Sequence, residues 1–334
     1  MSGVNSLAPW LQLQRQTLLA QRGHAWLLQG PSGMGQFELG MAMVRAWLCE
    51  QPSTQGACGH CTSCHSIDVH AHADLCVLMP ETEMLAKGWP LSEKAQADID
   101  DKKRKPSKEI RVDAMRDAVE FTQRTSSRGR GKAVLVYPAE QMNAVTANAL
   151  LKTLEEPPGD VRFVLATEAA HQLLPTIRSR CLSHTMAWPP QEEMVQWLQA
   201  QGLPADHAQA WLRASGGRPM DALAMAQGGQ GLDVLARLPK AVLAGDVALF
   251  TDMPLPLVVQ WLQKLCHDLM CVAQGAQPRY FALADLPKPP SAMVLSRWTK
   301  SLQQEARTAE HPFNAGLMIE ALVAQARTVL HSKA

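Results

Sequence analysis

Two patterns of apolar residues divide this chain. Up to about residue 188, short continuous apolar runs alternate with helix-period segments; beyond it only helix-period segments occur. Residues 9–29 read as a helix and then a strand. Trp10, Leu11, Leu13, Leu18 and Leu19 lie on the helix, and His24-Ala25-Trp26-Leu27-Leu28 is a run of buried-strand type. The turn Gly30-Pro31-Ser32-Gly33-Met34-Gly35 follows, then a buried helix over Phe37 to Leu48. Leu75-Cys76-Val77-Leu78-Met79, Ala133-Val134-Leu135-Val136-Tyr137 and Val161-Arg162-Phe163-Val164-Leu165-Ala166-Thr167 read as further strands. Ile110 to Phe121 carries an apolar helical face at 110, 112, 115 and 119, and Ala147 to Glu156 is a helix stopped by Pro157-Pro158. Strands alternating with helices predict an α/β domain with a parallel sheet. The charged segment 81–107, with the run Asp101-Lys102-Lys103-Arg104-Lys105-Pro106, reads as a mobile loop. After Trp188-Pro189-Pro190 one helical group spans about 191–228 and a second about 232–334, including Leu257–Val272 and Phe313–Leu330. Boundaries are expected near 188 and near 230.

Composition narrows this picture. A chain of 334 residues exceeds one simple core, so two or three domains are expected. A net charge of +1 excludes a polyanion-binding protein by composition, leaving local basic patches. No charged region followed by an apolar run opens the chain, so no signal peptide is expected. No apolar stretch reaches the about 18 residues of a membrane span. Eight cysteines without a secretory signal point to a reducing cytoplasm, where clustered thiols bind metal more often than they pair.

Four of those cysteines are close in sequence: Cys49, then Cys58-Gly-His-Cys61-Thr-Ser-Cys64, with two overlapping C-x2-C steps. Four thiols at this spacing predict one tetrahedral Zn²⁺ site. A closed shell of four thiolates leaves no position for substrate, so the metal is expected to be structural, which excludes a catalytic metalloenzyme. His60 or His65 could replace one thiolate, and His70 and His72 lie just beyond. Cys76, Cys181, Cys266 and Cys271 are scattered and read as small buried apolar residues.

The glycine turn has the context of a phosphate loop, between a strand and a helix. Gly30, Gly33 and Gly35 keep the spacing, but Gln36 stands where a phosphate-binding Lys belongs and Phe37 where a Mg²⁺-binding Ser or Thr belongs. The strand at 133–136 is followed by Tyr137-Pro138 rather than by an acidic pair. Metal-organising carboxylate and catalytic base are therefore both missing, and hydrolysis at this loop is not expected. The turn could still hold an anion at the helix N-terminus, or be only a tight turn.

Longer strings are more specific. Ala147-Asn148-Ala149-Leu150-Leu151-Lys152-Thr153-Leu154-Glu155-Glu156-Pro157-Pro158 is followed by Phe163-Val164-Leu165-Ala166-Thr167 and then by Leu174-Pro175-Thr176-Ile177-Arg178-Ser179-Arg180-Cys181. This closely resembles the bacterial clamp-loader family within the AAA+ proteins, with its Ser-Arg-Cys motif at Ser179, Arg180 and Cys181. The degenerate phosphate loop narrows the resemblance to the delta-prime branch. It is dense over residues 10–188 and thin beyond.

The resemblance implies an AAA+ core over 1–188 with a zinc-binding insert at about 49–75, a helical lid over 189–230 and a helical C-terminal collar over 231–334. It implies a stator within the DNA polymerase III holoenzyme, not an enzyme by itself and with no functional ATP of its own. The partners would be the gamma/tau ATPase subunits and the delta subunit, with the sliding clamp and primed DNA reached through the complex and no membrane. It gives Arg180 the role of an arginine finger acting in trans on a neighbour's ATP. In the lid string Ala214-Ser215-Gly216-Gly217-Arg218-Pro219-Met220, Met220 falls where active members carry a second nucleotide-sensing Arg, with Arg218 two residues away. Two other functions stay open. One is an ATP-hydrolysing motor subunit of the same complex. The other is a zinc-containing nucleic-acid-binding protein using Lys102–Lys105, Arg124, Arg128, Arg130 and Lys132; acids such as Asp98, Asp100 and Asp101 alongside favour a solvated charged loop instead.

Overall fold

A computed structural model describes residues 7–228, 231–309, 311 and 314–332. The chain separates into two compact units, Met1–Glu193 and Met194–Ala334.

The first unit is built on five parallel strands: β1 (Ala25–Gln29), β2 (Leu75–Leu78), β3 (Lys132–Val136), β4 (Val161–Thr167) and β5 (Leu182–Thr185). Their order across the sheet is β2-β3-β4-β1-β5. The register pairs Leu27 with Leu165 and with Ser183, and Leu135 with Val164. β3 is buried along its whole length, as is all of β4 but Arg162, because helices cover both faces. That is why both read as continuous apolar runs. β5 was not visible in the sequence: its residues are mostly exposed, and only pairing with β1 makes it a strand.

The helices of this unit are α1 (Pro9–Leu19), α2 (Gln36–Leu48), α3 (Thr62–Asp68), α4 (Glu81–Ala86), α5 (Glu93–Asp100), α6 (Val112–Gln123), α7 (Ala144–Glu155) and α8 (Pro175–Arg178). Leu27, Val134, Val136, Phe163 and Leu165 share one core with Met115, Leu150, Leu154 and Ile177. α2 packs closely against the sheet at Gly40, where a Cβ would come within 2.8 Å of the Leu135 side chain. From β1 the chain crosses to the far edge at β2, then returns through β3 and β4. The carboxyl end of β1 thus lies at the switch point, where open α/β sheets place ligand loops.

Segment 81–107 corrects the expectation of a mobile loop: α4 and α5 are helical. Glu81 is 7% exposed, and its carboxylate accepts from Arg104 Nη1 (2.5 Å), Arg104 Nη2 (2.8 Å) and the Ser107 N–H (2.8 Å). Trp89 stacks on His70 at 4.0 Å. A count of charges treats them all as solvated; one buried carboxylate gathers several of them and orders the segment.

A second buried carboxylate, Asp74, closes the turn before β3. It accepts from the N–H groups of Ser127 (2.8 Å) and Arg128 (3.0 Å) and from the Ser126 hydroxyl (3.1 Å), and it lies 3.7 Å from Lys132 Nζ. Burial alone would raise its pKa, but these donors outweigh burial and hold it below the usual carboxylate range. Lys132 is itself buried, with its ammonium over the Phe121 ring. Asp74→Ala would strand that charge, so it is expected to destabilise this unit by about 3–5 kcal/mol in chemical denaturation. A loss below about 1 kcal/mol would mean that Lys132 finds solvent without its partner.

The second unit is helical: all but the first three residues of α9 (Gln191–Ala200), then α10 (Ala205–Ala214), α11 (Pro219–Gln227), α12 (Leu232–Ala244), α13 (Leu255–Ala273), α14 (Ala292–Thr308) and α15 (Ala315–Leu330). The expected helix start at Phe313 and the boundary at residue 230 lie outside the described residues. One apolar core runs from Met194 to Leu330, with Val258, Trp261, Leu262, Leu265 and Leu269 of α13 at its centre. Two polar groups of α13 are buried with partners. Asp268 accepts from the N–H groups of Arg279, Tyr280 and Phe281 at 2.8–2.9 Å. Lys264 donates to the Ala214 carbonyl at 2.9 Å, and burial lowers its pKa to about 8.

Candidate functional site

Three places in the first unit hold the residues singled out in the sequence. The metal candidate forms where α2 ends and α3 begins. Cys49 caps the end of α2 in extended backbone, and Cys61 is the N-cap of α3. Gly59, at φ +80°, makes the turn between Cys58 and Cys61 in a region that disfavours side chains. The Sγ atoms of Cys49, Cys58, Cys61 and Cys64 all lie within 4.8 Å of one another, with Cys49 and Cys61 at 3.8 Å. Four sulfurs at about 2.3 Å from a tetrahedral Zn²⁺ would stand about 3.8 Å apart, so the donor set fits. Two backbone N–H groups already point at sulfur: Cys58 to Cys49 at 3.3 Å and Cys64 to Cys61 at 3.4 Å.

The ionisation of the four thiols is divided. Burial opposes a thiolate at Cys61, but the backbone N–H groups of Cys64 and Glu50 and the neighbouring thiols outweigh it, bringing the pKa to about 6. Burial, reinforced by the other sulfurs, pushes Cys64 up to about 12. One thiolate forms readily, whereas four need a cation to neutralise them.

The candidate histidines fall elsewhere. His60 faces its own turn, with Nδ1 3.0 Å from the Cys58 carbonyl, and His65 is exposed. His72 is buried and structural. Its Nδ1 accepts from the Asp74 N–H at 3.0 Å, so Nε2 carries the proton toward Ser63 Oγ at 2.6 Å, and Ser63 donates to the Leu48 carbonyl. Burial, then the charge of Arg128, lowers the His72 pKa and keeps the ring neutral. Glu50 adds a brace from beside Cys49, accepting from the Ser63 N–H and from Arg128 Nη1. Sequence reasoning named His72 only as a neighbour of the thiol cluster and missed Glu50, because the partners of both lie on other elements. Of the remaining cysteines only Cys266 is fully buried; Cys76, Cys181 and Cys271 are half-buried.

At the phosphate loop, Gly33 (φ +73°) and Gly35 (φ +93°) make the turn from β1 into α2. Gln36 is 2% exposed, and its Nε2 donates to the carbonyls of Gly30 (2.9 Å) and Pro31 (2.7 Å). The side chain in the Lys position is thus turned back into its own loop. Phe37 packs against Tyr137 with ring centroids 5.3 Å apart, and Lys87 Nζ lies 4.6 Å from the Phe37 centroid. Tyr137 donates its hydroxyl to Glu168 at 2.9 Å. Phe37 and Tyr137 thus form an aromatic pair under an ammonium group.

The third place is Arg180, just after α8. Ile177, fully buried, anchors this turn, and Ser179 caps it. Arg180 Nε donates to Glu155 Oε1 at 2.6 Å, Nη2 contacts the same oxygen, and Nη1 donates to the Thr176 carbonyl at 2.9 Å. The Arg180 side chain remains 30% exposed. Burial pushes the Cys181 thiol up to about 12. Sequence reasoning quoted Glu155 within the long string but gave it no role. In the second unit, Arg218 pairs with Asp221 at 2.7 Å.

The basic residues considered for nucleic acid are mostly committed internally. Lys103 pairs with Asp101, Arg104 with Glu81, Arg124 with Glu120, Arg128 with Glu50 and Lys132 with Asp74. No helix among the described residues is long and apolar enough to cross a membrane.

A parallel sheet ordered 5-1-4-3-2, with a glycine loop after its first strand and a helical unit following, defines an AAA+-type clamp-loader architecture. Residues 8–189 match the family described as DNA polymerase III, delta subunit. The chain is 32% identical to the DNA polymerase III subunit delta' of Pseudomonas aeruginosa, over 95% of this chain and 96% of that protein. It is 35% identical to the delta' subunit of Escherichia coli K12, over 80% of this chain and 77% of that one. A gamma subunit-related protein of DNA polymerase III from Thermotoga maritima shares the fold, with TM-score 0.50 and 18% identity over 96% of this chain and 100% of that one. The chain belongs to the DNA polymerase III delta-prime family, subunits of the bacterial clamp loader.

Proposed function

We propose that this chain is the non-hydrolysing stator of a bacterial replicative clamp loader, acting in DNA replication from the cytoplasm. One observation carries the reading: Gln36 spends its amide on Gly30 and Pro31, so the loop offers a phosphate no side-chain cation from the Lys position. Phe37 likewise offers Mg²⁺ no hydroxyl, and Tyr137-Pro138 no carboxylate, at those positions.

Residues 1–188 form the AAA+ core, 189–230 the lid and 231–334 the collar that assembles with the other subunits. Those partners are gamma/tau ATPase subunits and a delta subunit, and the complex places the sliding clamp on primed DNA. Curated gamma and tau subunits are themselves related to this chain, the tau subunit of Escherichia coli K12 at 30% identity over 67% of this chain and 30% of that one. Arg180 acts in trans: its planar, permanently charged guanidinium meets the γ-phosphate held by the neighbouring ATPase subunit. Cys49, Cys58, Cys61 and Cys64 hold one structural Zn²⁺. The metal supplies four-point cross-linking of a segment with little apolar core, and no reaction step passes through it.

The test pairs two measurements. Mixed with the ATPase and delta subunits, the chain is expected to form a stable complex and restore clamp loading. Alone, it is expected to show no saturable binding of a fluorescent ATP analogue with Mg²⁺. Tight nucleotide binding by the isolated chain would overturn the stator reading in favour of a motor subunit.

A further inference from the structure

We propose that Glu155 is a positioning residue for Arg180; this rests on the trans reading of Arg180 given above. A long, exposed Arg side chain samples many rotamers, and a finger gains rate only if its guanidinium waits in place. Here that side chain is tied at three nitrogens. Nε and Nη2 share Glu155 Oε1, and Nη1 donates to the Thr176 carbonyl, with Ser179 Oγ at 3.5 Å. A guanidinium has five N–H donors, so at least one on Nη2 stays unspent and can meet an anion while the others hold the plane.

Both ends of the tie are rigid. Glu155 closes α7 directly after Leu154, which is 1% exposed, and the Leu154 carbonyl is bonded by His24 Nε2 at 2.8 Å. Arg180 follows fully buried Ile177, whose carbonyl accepts the Arg180 N–H at 3.1 Å. The carboxylate therefore fixes the direction of the guanidinium relative to the sheet. In this arrangement Glu155 acts through Arg180.

The assembled clamp loader, with its other nucleotide sites silenced, tests this with clamp- and DNA-stimulated ATP hydrolysis. Glu155→Ala is expected to lower kcat between about 10- and 100-fold with KM for ATP unchanged, the signature of a misplaced transition-state contact. Glu155→Gln, whose amide oxygen still accepts from Nε and Nη2, is expected to recover most of the rate. Glu155→Ala combined with Arg180→Ala is expected to be no slower than Arg180→Ala alone. Complex assembly and thermal unfolding of each variant establish that the chain folds. If Arg180→Ala is slow while Glu155→Ala matches the wild type, the positioning role falls and the finger stands. If Arg180→Ala is fully active, the trans reading itself falls. A faster Glu155→Ala enzyme would make the carboxylate a competitor of the phosphate, and a double variant slower than Arg180→Ala would place Glu155 outside this pathway; either overturns the proposal.

Discussion

On the proposed trans role, Arg180→Ala is expected to slow hydrolysis at the neighbouring subunit's nucleotide site by about 10³–10⁵-fold, the range seen for arginine fingers in phosphoryl transfer. The chain itself should tolerate the change. The Arg180 side chain is 30% exposed and its carboxylate partner 47% exposed, and such surface pairs contribute about 0–1 kcal/mol to stability. Arg180→Lys should also fail, since an ammonium lacks the planar fork that holds Glu155 and an anion together. The measurement is stimulated ATPase in a reconstituted complex whose other nucleotide sites are silenced, because hydrolysis elsewhere would mask the loss. Unchanged activity there would sink the assignment.

Loss of the proposed structural Zn²⁺ should have the largest effect on stability. Structural Zn²⁺ in small peptide sites contributes about 10–16 kcal/mol of apparent binding energy at neutral pH. Cys64 and Cys49 are fully buried, and Ala57 packs against the cluster they form. Cys49→Ser or Cys64→Ser is expected to reduce zinc content from one per chain to near zero and to destabilise the first unit by more than about 4 kcal/mol. Elemental analysis and denaturant unfolding with and without a chelator report both quantities. A chelated, reduced chain that unfolds like the untreated one would refute the structural metal. The damage should spread along a defined route. Ser63 is tied to Leu48 and His72, and Glu50 is tied to Arg128, so loosening α3 also loosens the turn held by Asp74.

The sequence carried those elements whose burial is uniform. β1, β3 and β4 are covered on both faces, so each appears as an apolar run that needs no partner to be recognised. The four cysteines were equally plain, since C-x2-C spacing imposes local geometry on a metal site. The helices α4 and α5 were not plain. Their apolar content is low, and what orders them is Glu81 collecting Arg104 and Ser107 from more than twenty residues away. β5 failed for a related reason: an exposed edge strand has no pattern of its own.

The candidate sites divide along the same line. The reading of Gln36, Phe37 and Tyr137 as a silenced phosphate loop is a matter of residue type, and residue type is written in the chain. So are the thiol donors and the long string around Arg180. Where each side chain points was decided by tertiary structure. Gln36 folds back onto Gly30 and Pro31, Lys87 covers the Phe37 and Tyr137 rings, and Glu155 takes hold of Arg180 across 25 residues of chain. A hydrogen bond or ion pair depends on separations of about 3 Å between atoms far apart in sequence. Local pattern contains no such separations; packing β1, α7 and α8 into one core creates them.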